Sequence, residues 1–412
     1  MRALLPSLLV LSIAATSRAG TTGAGDDEAT KELDALIARA LENAPELPAY
    51  AARTRAARTR EAPAAALPAP EIDLGAAGMG LAPPGPASTL VVEVSQELPY
   101  PGKRAARRAA AEGEASILTA EAEDARRRVV AGVRVAYARV YALDREREKL
   151  DATRDLLGLL SRAVAARYST GEADRAALLR VDLEASRLEE RQISIAAERR
   201  TVVASLNRLL GLPSGTPFGA VRALPRVATP DDGIEPRALA ASSEIASLHA
   251  EDAAAARRAE AARFEEKPDF SIGLGGGVDG MAEPVVTLRL GMTLPIWRGA
   301  KQAPLAQAAE EDRSAVQDDI RAKEAEVRER VEALRAALGR DDALVALYAG
   351  TLVPRSRDVF EATQASYLAG RGDFPSLIES YDALLEAEVS LAQREAARFE
   401  SWALLEQLEE RR

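Results

Sequence analysis

The sequence predicts a mostly helical chain with a small β part, built as a duplication: each half runs helix, β-hairpin, long helical hairpin. Three observations carry this. The 412 residues are 29% charged and only 4% aromatic, the balance of long helices packed through narrow seams. Two ten-residue segments, Thr89–Leu98 and Val285–Leu294, alternate in phase, residue for residue. A Pro- and Gly-rich stretch, 211–236, separates two halves whose elements match in order.

The N-terminus comes first. Arg2 precedes an apolar stretch, Leu4–Ala15, and Ser17-Arg18-Ala19 follows with small residues placed for cleavage after Ala19. Residues 1–19 therefore read as an export signal, with an apolar part too short to span a bilayer as a helix. The formal net charge of −10 disfavours nucleic acid as a partner, because neutralising phosphates takes a basic surface. The chain has no cysteine, so disulfides, thiolate metal sites and a lipid on an N-terminal cysteine are excluded. Its one histidine, His249, lies in an Ala-rich helical run and reads as a surface or packing residue. No catalytic constellation can be assembled. The chain reads as a non-enzyme without cofactor or resident metal.

The first repeat is expected over 20–210, with strands near 71–80 and 89–98 and a helical hairpin near 101–210. The linker spans 211–236. The second repeat covers 237–412, with strands near 269–278 and 285–294 and a hairpin near 298–410. Each half opens with a helical run, about 28–61 and 234–265. Each then offers a Pro followed by alternating residues, PEIDL at Pro70–Leu74 and PDFSI at Pro268–Ile272. A turn-rich loop leads to the second strand.

In Thr89–Leu98 one face carries Leu90, Val92, Val94, Gln96 and Leu98, and the other Thr89, Val91, Glu93, Ser95 and Glu97. In Val285–Leu294 one face carries Val286, Leu288, Leu290, Met292 and Leu294, and the other Val285, Thr287, Arg289, Gly291 and Thr293. Such strands fit a soluble sheet. Their length of about ten residues also fits a tilted strand crossing a membrane. One hairpin per half cannot close a membrane barrel, and strands in lipid cannot leave open edges, so several chains would have to share one. Tyr100 and Trp297 follow the apolar bands directly, where an interfacial aromatic belt lies.

Each strand then ends at Leu-Pro, in QELPYPGKR and in MTLPIWRGAK, and a long helix follows. Proline ends the ladder for want of an N–H, and Pro101 suits the first turn of a helix. Lys103, Arg104, Arg107 and Arg108 come next, facing lipid headgroups or water, with water favoured for at least half of them. The helix from Pro101 to Tyr168 extends roughly 100 Å at 1.5 Å per residue. Its seam reads Val129, Val133, Ala136, Val140, Leu143, Leu150, Leu157, Leu160 and Val164. The second seam runs Val316, Ile320, Val327, Val331, Leu334, Leu338, Val345, Tyr348 and Leu352, and Pro354 predicts a kink.

The duplicated plan, the SQELPYPGKR and TLPIWRGAK segments, and the turns YSTGEAD at 168–174 and YLAGRGD at 367–373 resemble the TolC-type outer-membrane efflux proteins of Gram-negative bacteria. The resemblance covers about 28–412, and the basic break segment looks most like the heavy-metal branch (CzcC/CusC-like). It implies a homotrimer in which each chain gives four strands to a twelve-stranded barrel and its helices to a periplasmic tunnel. It implies a periplasmic adaptor and an inner-membrane pump as partners, and a passive exit duct for metals or drugs. It places Tyr168, Gly171, Asp174, Tyr367, Gly370 and Asp373 at the periplasmic tip, for aperture and adaptor docking. Asp174 and Asp373 equally suit helix caps, and one residue can serve both ends. Glu93, Glu97 and Arg289 would line the barrel lumen, and Tyr100 and Trp297 the membrane interface. The rival reading is an exported coiled-coil scaffold, which needs neither in-phase strands nor interfacial aromatics.

Overall fold

The computed structural model describes residues 22–77, 89–170, 175–228, 231, 233–278 and 284–409. The expected signal, 1–19, lies outside them, as do Gly171 and Asp174.

The opening helical run is two helices, α1 (Thr22–Asn43) and α2 (Leu47–Ala64), not the single run expected near 28–61. Pro45 is the cause. It has no N–H to continue the ladder and pushes Ala44 out of the helical region. Strands β1 (Glu71–Ala77) and β2 (Thr89–Leu98) follow. The first long hairpin is α3 (Lys103–Ser169) and α4 (Arg175–Leu209). Beyond the linker come α5 (Ile234–Ala241) and α6 (Ser243–Phe264). They are separated at Ser242, whose hydroxyl accepts from the Ile245 N–H at 3.3 Å as an N-cap. Strands β3 (Asp269–Val278) and β4 (Pro284–Thr293) precede the second hairpin, α7 (Gln302–Leu347), α8 (Val353–Leu368) and α9 (Phe374–Glu409).

The two hairpins join. The four strands form one antiparallel sheet in the order β1-β2-β3-β4, with β2 and β3 paired across the repeats. The registers shift the strand match by two residues from the one the prolines suggest. Ile72 faces Val94, and Ile272 faces Leu290. Since Val94 corresponds to Leu290, Ile72 corresponds to Ile272, Leu74 to Leu274 and Gly75 to Gly275. Pro68, not Pro70, is then the counterpart of Pro268.

The core is a string of seams rather than one globule. Every residue of the predicted α3 seam is buried. Tyr137, Leu206 and Phe399 pack with it where α1, α4 and α9 meet the linker. Leu150, Val181 and Leu377 continue it toward the tip, and Ile234, Val327 and Leu338 form the seam of α5, α7 and α9. The linker is tied on by polar contacts. Arg199 pairs with Asp144 at 2.6 Å and donates to the Gly219 carbonyl at 2.8 Å, while Asp144 accepts from the Val221 N–H.

The α7 seam is buried at Val316, Ile320, Val327, Val331 and Leu338, partly buried at Leu334, and fades beyond, with Leu347 and Leu352 exposed. Around Pro354 the helix makes one wide turn, a π-helix at Tyr348–Leu352, before continuing as α8. A π turn adds a residue to the ladder. It gives the ring room against the preceding carbonyls and absorbs the missing N–H.

Candidate functional site: sheet faces and helical tips

The break that launches α3 is a tight turn. The Lys103 N–H donates to the Tyr100 carbonyl at 2.9 Å, with Pro101 and Gly102 between them. Gly102 has φ +95, the left-handed value a type II turn requires after proline. Helix α3 starts at Lys103, so Pro101 sits in the turn and not in the helix as expected. In the second repeat the chain makes further turns through 296–301 before α7 begins at Gln302.

The basic cluster faces inward more than predicted. Lys103 is 1% exposed; its Nζ meets Asp269 at 2.7 Å and Glu265 at 3.1 Å. Arg107 joins Glu265, Arg104 donates to the Ala65 carbonyl, and Arg108 pairs with Glu112. Lys103 thus faces neither lipid nor water. A carboxylate 166 residues away fixes the start of the helix to the start of β3.

The sheet has two unlike faces. One presents Ile72, Leu74, Val92, Val94, Ile272, Leu274, Leu288 and Leu290, all exposed, Leu74 at 76% and Leu290 at 75%. An apolar surface of this extent marks contact with lipid or another chain. The other face carries Asp73, Glu93, Glu97, Ser271, Thr287 and Arg289, with Gly273 and Gly275 on β3. Glu93 is buried. It reaches across β3 to Arg289, Nη1 to Oε2 at 2.9 Å. The glycines make this crossing possible, since a Cβ on Gly273 would stand 2.5 Å from Glu93 Oε1. Glu97 is exposed on the same face. Of the interface pair, Tyr100 is half-buried, with its N–H on Asp269, and Trp297 is 70% exposed.

The tips differ. Tyr168 is exposed at the end of α3. Tyr367, its counterpart, is buried edge-on against Phe374, centroids 6.2 Å apart, so this ring packs the tip rather than offering itself for docking. Gly370 (φ +73) ends α8 in a Schellman motif: the Arg371 N–H reaches Ser366 O and the Gly370 N–H reaches Tyr367 O. Asp373 caps α9, accepting from the Ser376 N–H at 2.8 Å. That amide holds the Asp373 carboxyl below its ordinary value.

One feature escaped the sequence reading. A groove of about 580 Å³ runs between α4 and α9 beside the tip, lined by Arg180, Leu183, Glu184, Phe374 and Asp382. Arg187 bridges to Glu184 at 2.8 Å within it. Partial desolvation and then the Glu184 carboxylate raise the Asp382 carboxyl. Nothing in the sequence sets these charged residues of α4 and α9 apart from solvated ones; only the packing of both helices on α3 makes them a groove.

Residues 36–212 match the model of the family described as outer membrane efflux protein. A search of curated proteins gave no match. Among solved structures, the outer membrane protein VceC of Vibrio cholerae superposes with a TM-score of 0.76 at 16% identity, covering 93% of this chain and 98% of that one. The Campylobacter jejuni outer membrane channel CmeC gives 0.78 at 13% identity, covering 92% and 85%. CusC gives 0.77 at 14% identity, covering 92% of each. At these identities the structures show a shared fold. Residues 36–212 therefore carry the signature of the outer membrane efflux proteins, and the chain, over 92–93% of its residues, shares the fold of these outer membrane proteins. The match and the superpositions agree on one architecture, that of the outer membrane efflux proteins.

Proposed function

We propose that three copies of this chain form a passive exit duct, a twelve-stranded barrel continued by a tunnel of helices. The observation that carries this is the sheet, four strands with an exposed apolar face, joined to helices of up to 67 residues. A scaffold has no use for such a face. The two repeats, 20–210 and 237–412 about the 211–236 linker, would each supply one hairpin to the barrel and one helical hairpin to the tunnel. Glu93, Glu97 and Arg289 line the barrel lumen in this reading, and Tyr100 and Trp297 mark its interface.

A periplasmic adaptor would dock at the tips, on Tyr168, Gly171, Asp174, Gly370 and Asp373 and in the groove between α4 and α9, and would link the duct to an inner-membrane pump. Carboxylates at the tip would favour cations at the constriction. A conduit of this kind, for metals or drugs, need bind neither tightly.

The test is conductance in planar bilayers of the mature protein, unaltered and with Asp174→Ala and Asp373→Ala combined. Discrete cation-preferring channels that widen or lose preference in the variant are expected. Inserted trimers silent in both forms would overturn the duct.

A further inference from the structure

The sheet ends in two open edges: among the described residues, β1 and β4 have no strand beyond them. In the proposed barrel β4 of one copy meets β1 of the next; we propose that Arg289 meets Asp73 of the second copy across that seam, the strands lying in the register of the internal β2–β3 pair. This rests on the trimeric-barrel reading and specifies its seam.

The internal repeat supplies the register. β2 corresponds to β4, with Val94 at Leu290 and Glu93 at Arg289, and β3 corresponds to β1, with Leu274 at Leu74 and Gly273 at Asp73. Within the chain Val94 faces Leu274, Gln96 faces Ile272, and Glu93 faces Gly275. Carried over, Leu290 faces Leu74 of the second copy, Met292 faces its Ile72, and Arg289 faces its Gly75. The apolar face then continues unbroken across the seam. A slip by one residue would turn it over, so this register is strongly specified.

The polar face argues the same. Glu93 crosses diagonally over Gly273 to reach its cation. Arg289 occupies the corresponding place at the seam, and position 73, the counterpart of Gly273, holds an acid. Asp73 is exposed and has no ion-pair partner among the described residues. The Arg289 side chain is 67% exposed beyond its contact with Glu93. In the proposed register the free acid of one copy lies diagonal to the open guanidinium of the next, within reach of a long side chain. Asp73, Glu93 and Arg289 of each copy would then form one charged girdle around the lumen.

The natural absence of cysteine makes the test clean. Two pairs, Leu290→Cys with Leu74→Cys and Gly291→Cys with Asp73→Cys, are placed in the full chain in detergent or vesicles and oxidised. Two offset pairs, Leu290→Cys with Ile72→Cys and Met292→Cys with Leu74→Cys, serve for comparison. Covalent dimers and trimers several-fold more abundant in the directly opposed pairs are expected. Equal or greater yield from the offset pairs in a trimeric protein would overturn the register and leave the barrel reading standing. A protein that runs as a monomer by light scattering and links in no pair would overturn both. The ion pair is read separately by trimer dissociation on heating, in Arg289→Gln, Asp73→Asn and the double variant. A double variant that loses no more than the worse single variant supports the contact; losses that simply add overturn it.

Discussion

At the scale of single residues, two positions control where helices begin. Gly102 holds φ +95, and a Cβ there would meet the Phe264 ring at 2.7 Å. Gly102→Ala is therefore expected to destabilise the chain by about 1–3 kcal/mol, read by chemical unfolding in detergent. Asp373 works through its charge. Its carboxyl is held low by the Ser376 amide, so it contributes stability at neutral pH. That contribution is lost as pH falls through the lowered folded value. Protection at the start of α9, meaning exchange relative to the intrinsic rate at each pH, should fall on acidification in the natural protein. Protection there should be low and flat with pH in Asp373→Ala, and Asp373→Asn should keep the acceptor but not the titration. The Leu-Pro break was legible in the sequence, but the separate turn through Pro101 and Gly102 was not, since Pro101 equally suits the first turn of a helix. Nor was the burial of Lys103. Its partner Asp269 lies in the other repeat, and nothing local distinguishes Lys103 from the exposed Arg104 and Arg108 beside it. Gly273 shows the same limit: its lack of a side chain has no local reason until Glu93 is seen to cross it.

At the scale of elements, the seam periodicity carried most of the fold. Every three–four position chosen on α3 is buried, while Arg147 and Arg154 between them are exposed. Leu150→Ala should cost about 2–5 kcal/mol in unfolding experiments, because it empties a closed seam. Leu159→Ala, 58% exposed, should cost far less. A result in the opposite order would mean that the packing of this helix is misread. Periodicity could not show where α7 loses its partners, since Val345, Tyr348 and Leu352 keep the spacing but not the burial. Nor could it show how Pro354 is housed. The proline announced an irregularity; that it takes the form of a π turn rather than a sharp bend depends on the packing of α9 alongside. Pro354→Ala restores the N–H and removes the ring, so the extra residue of the π turn loses its reason. Spin labels on the exposed faces of α7 and α8 should then report a changed separation, and an unchanged distance would place the cause of the π turn elsewhere.

At the scale of the whole molecule, the chain makes sense only as part of something larger. Its helices pack on each other through narrow seams, yet its sheet turns an apolar face outward and, among the described residues, ends in two open edges. A sheet in lipid cannot keep either edge, and water does not tolerate the face. The in-phase strands showed this in the sequence; the joining of both hairpins through β2 and β3 did not show, because register across 180 residues leaves no local mark. The face itself can be tested against its reverse. Leu288 is 66% exposed on the apolar side, and Thr287 next to it points to the side of Glu93 and Arg289. If the proposed barrel is right, Leu288→Arg should cost about 2–4 kcal/mol and sharply reduce the fraction that folds into vesicles. Thr287→Arg, on a polar face with a nearby carboxylate, should insert nearly as well as the natural protein. If both variants insert alike, the apolar face is covered by protein and not by lipid. If Thr287→Arg is the one that fails, the sheet is inside out relative to the barrel. Only the predicted order joins the strand alternation, the glycine-floored ion pair and the unpaired edges in one arrangement: lipid outside, a charged lumen within, and neighbouring copies at both edges.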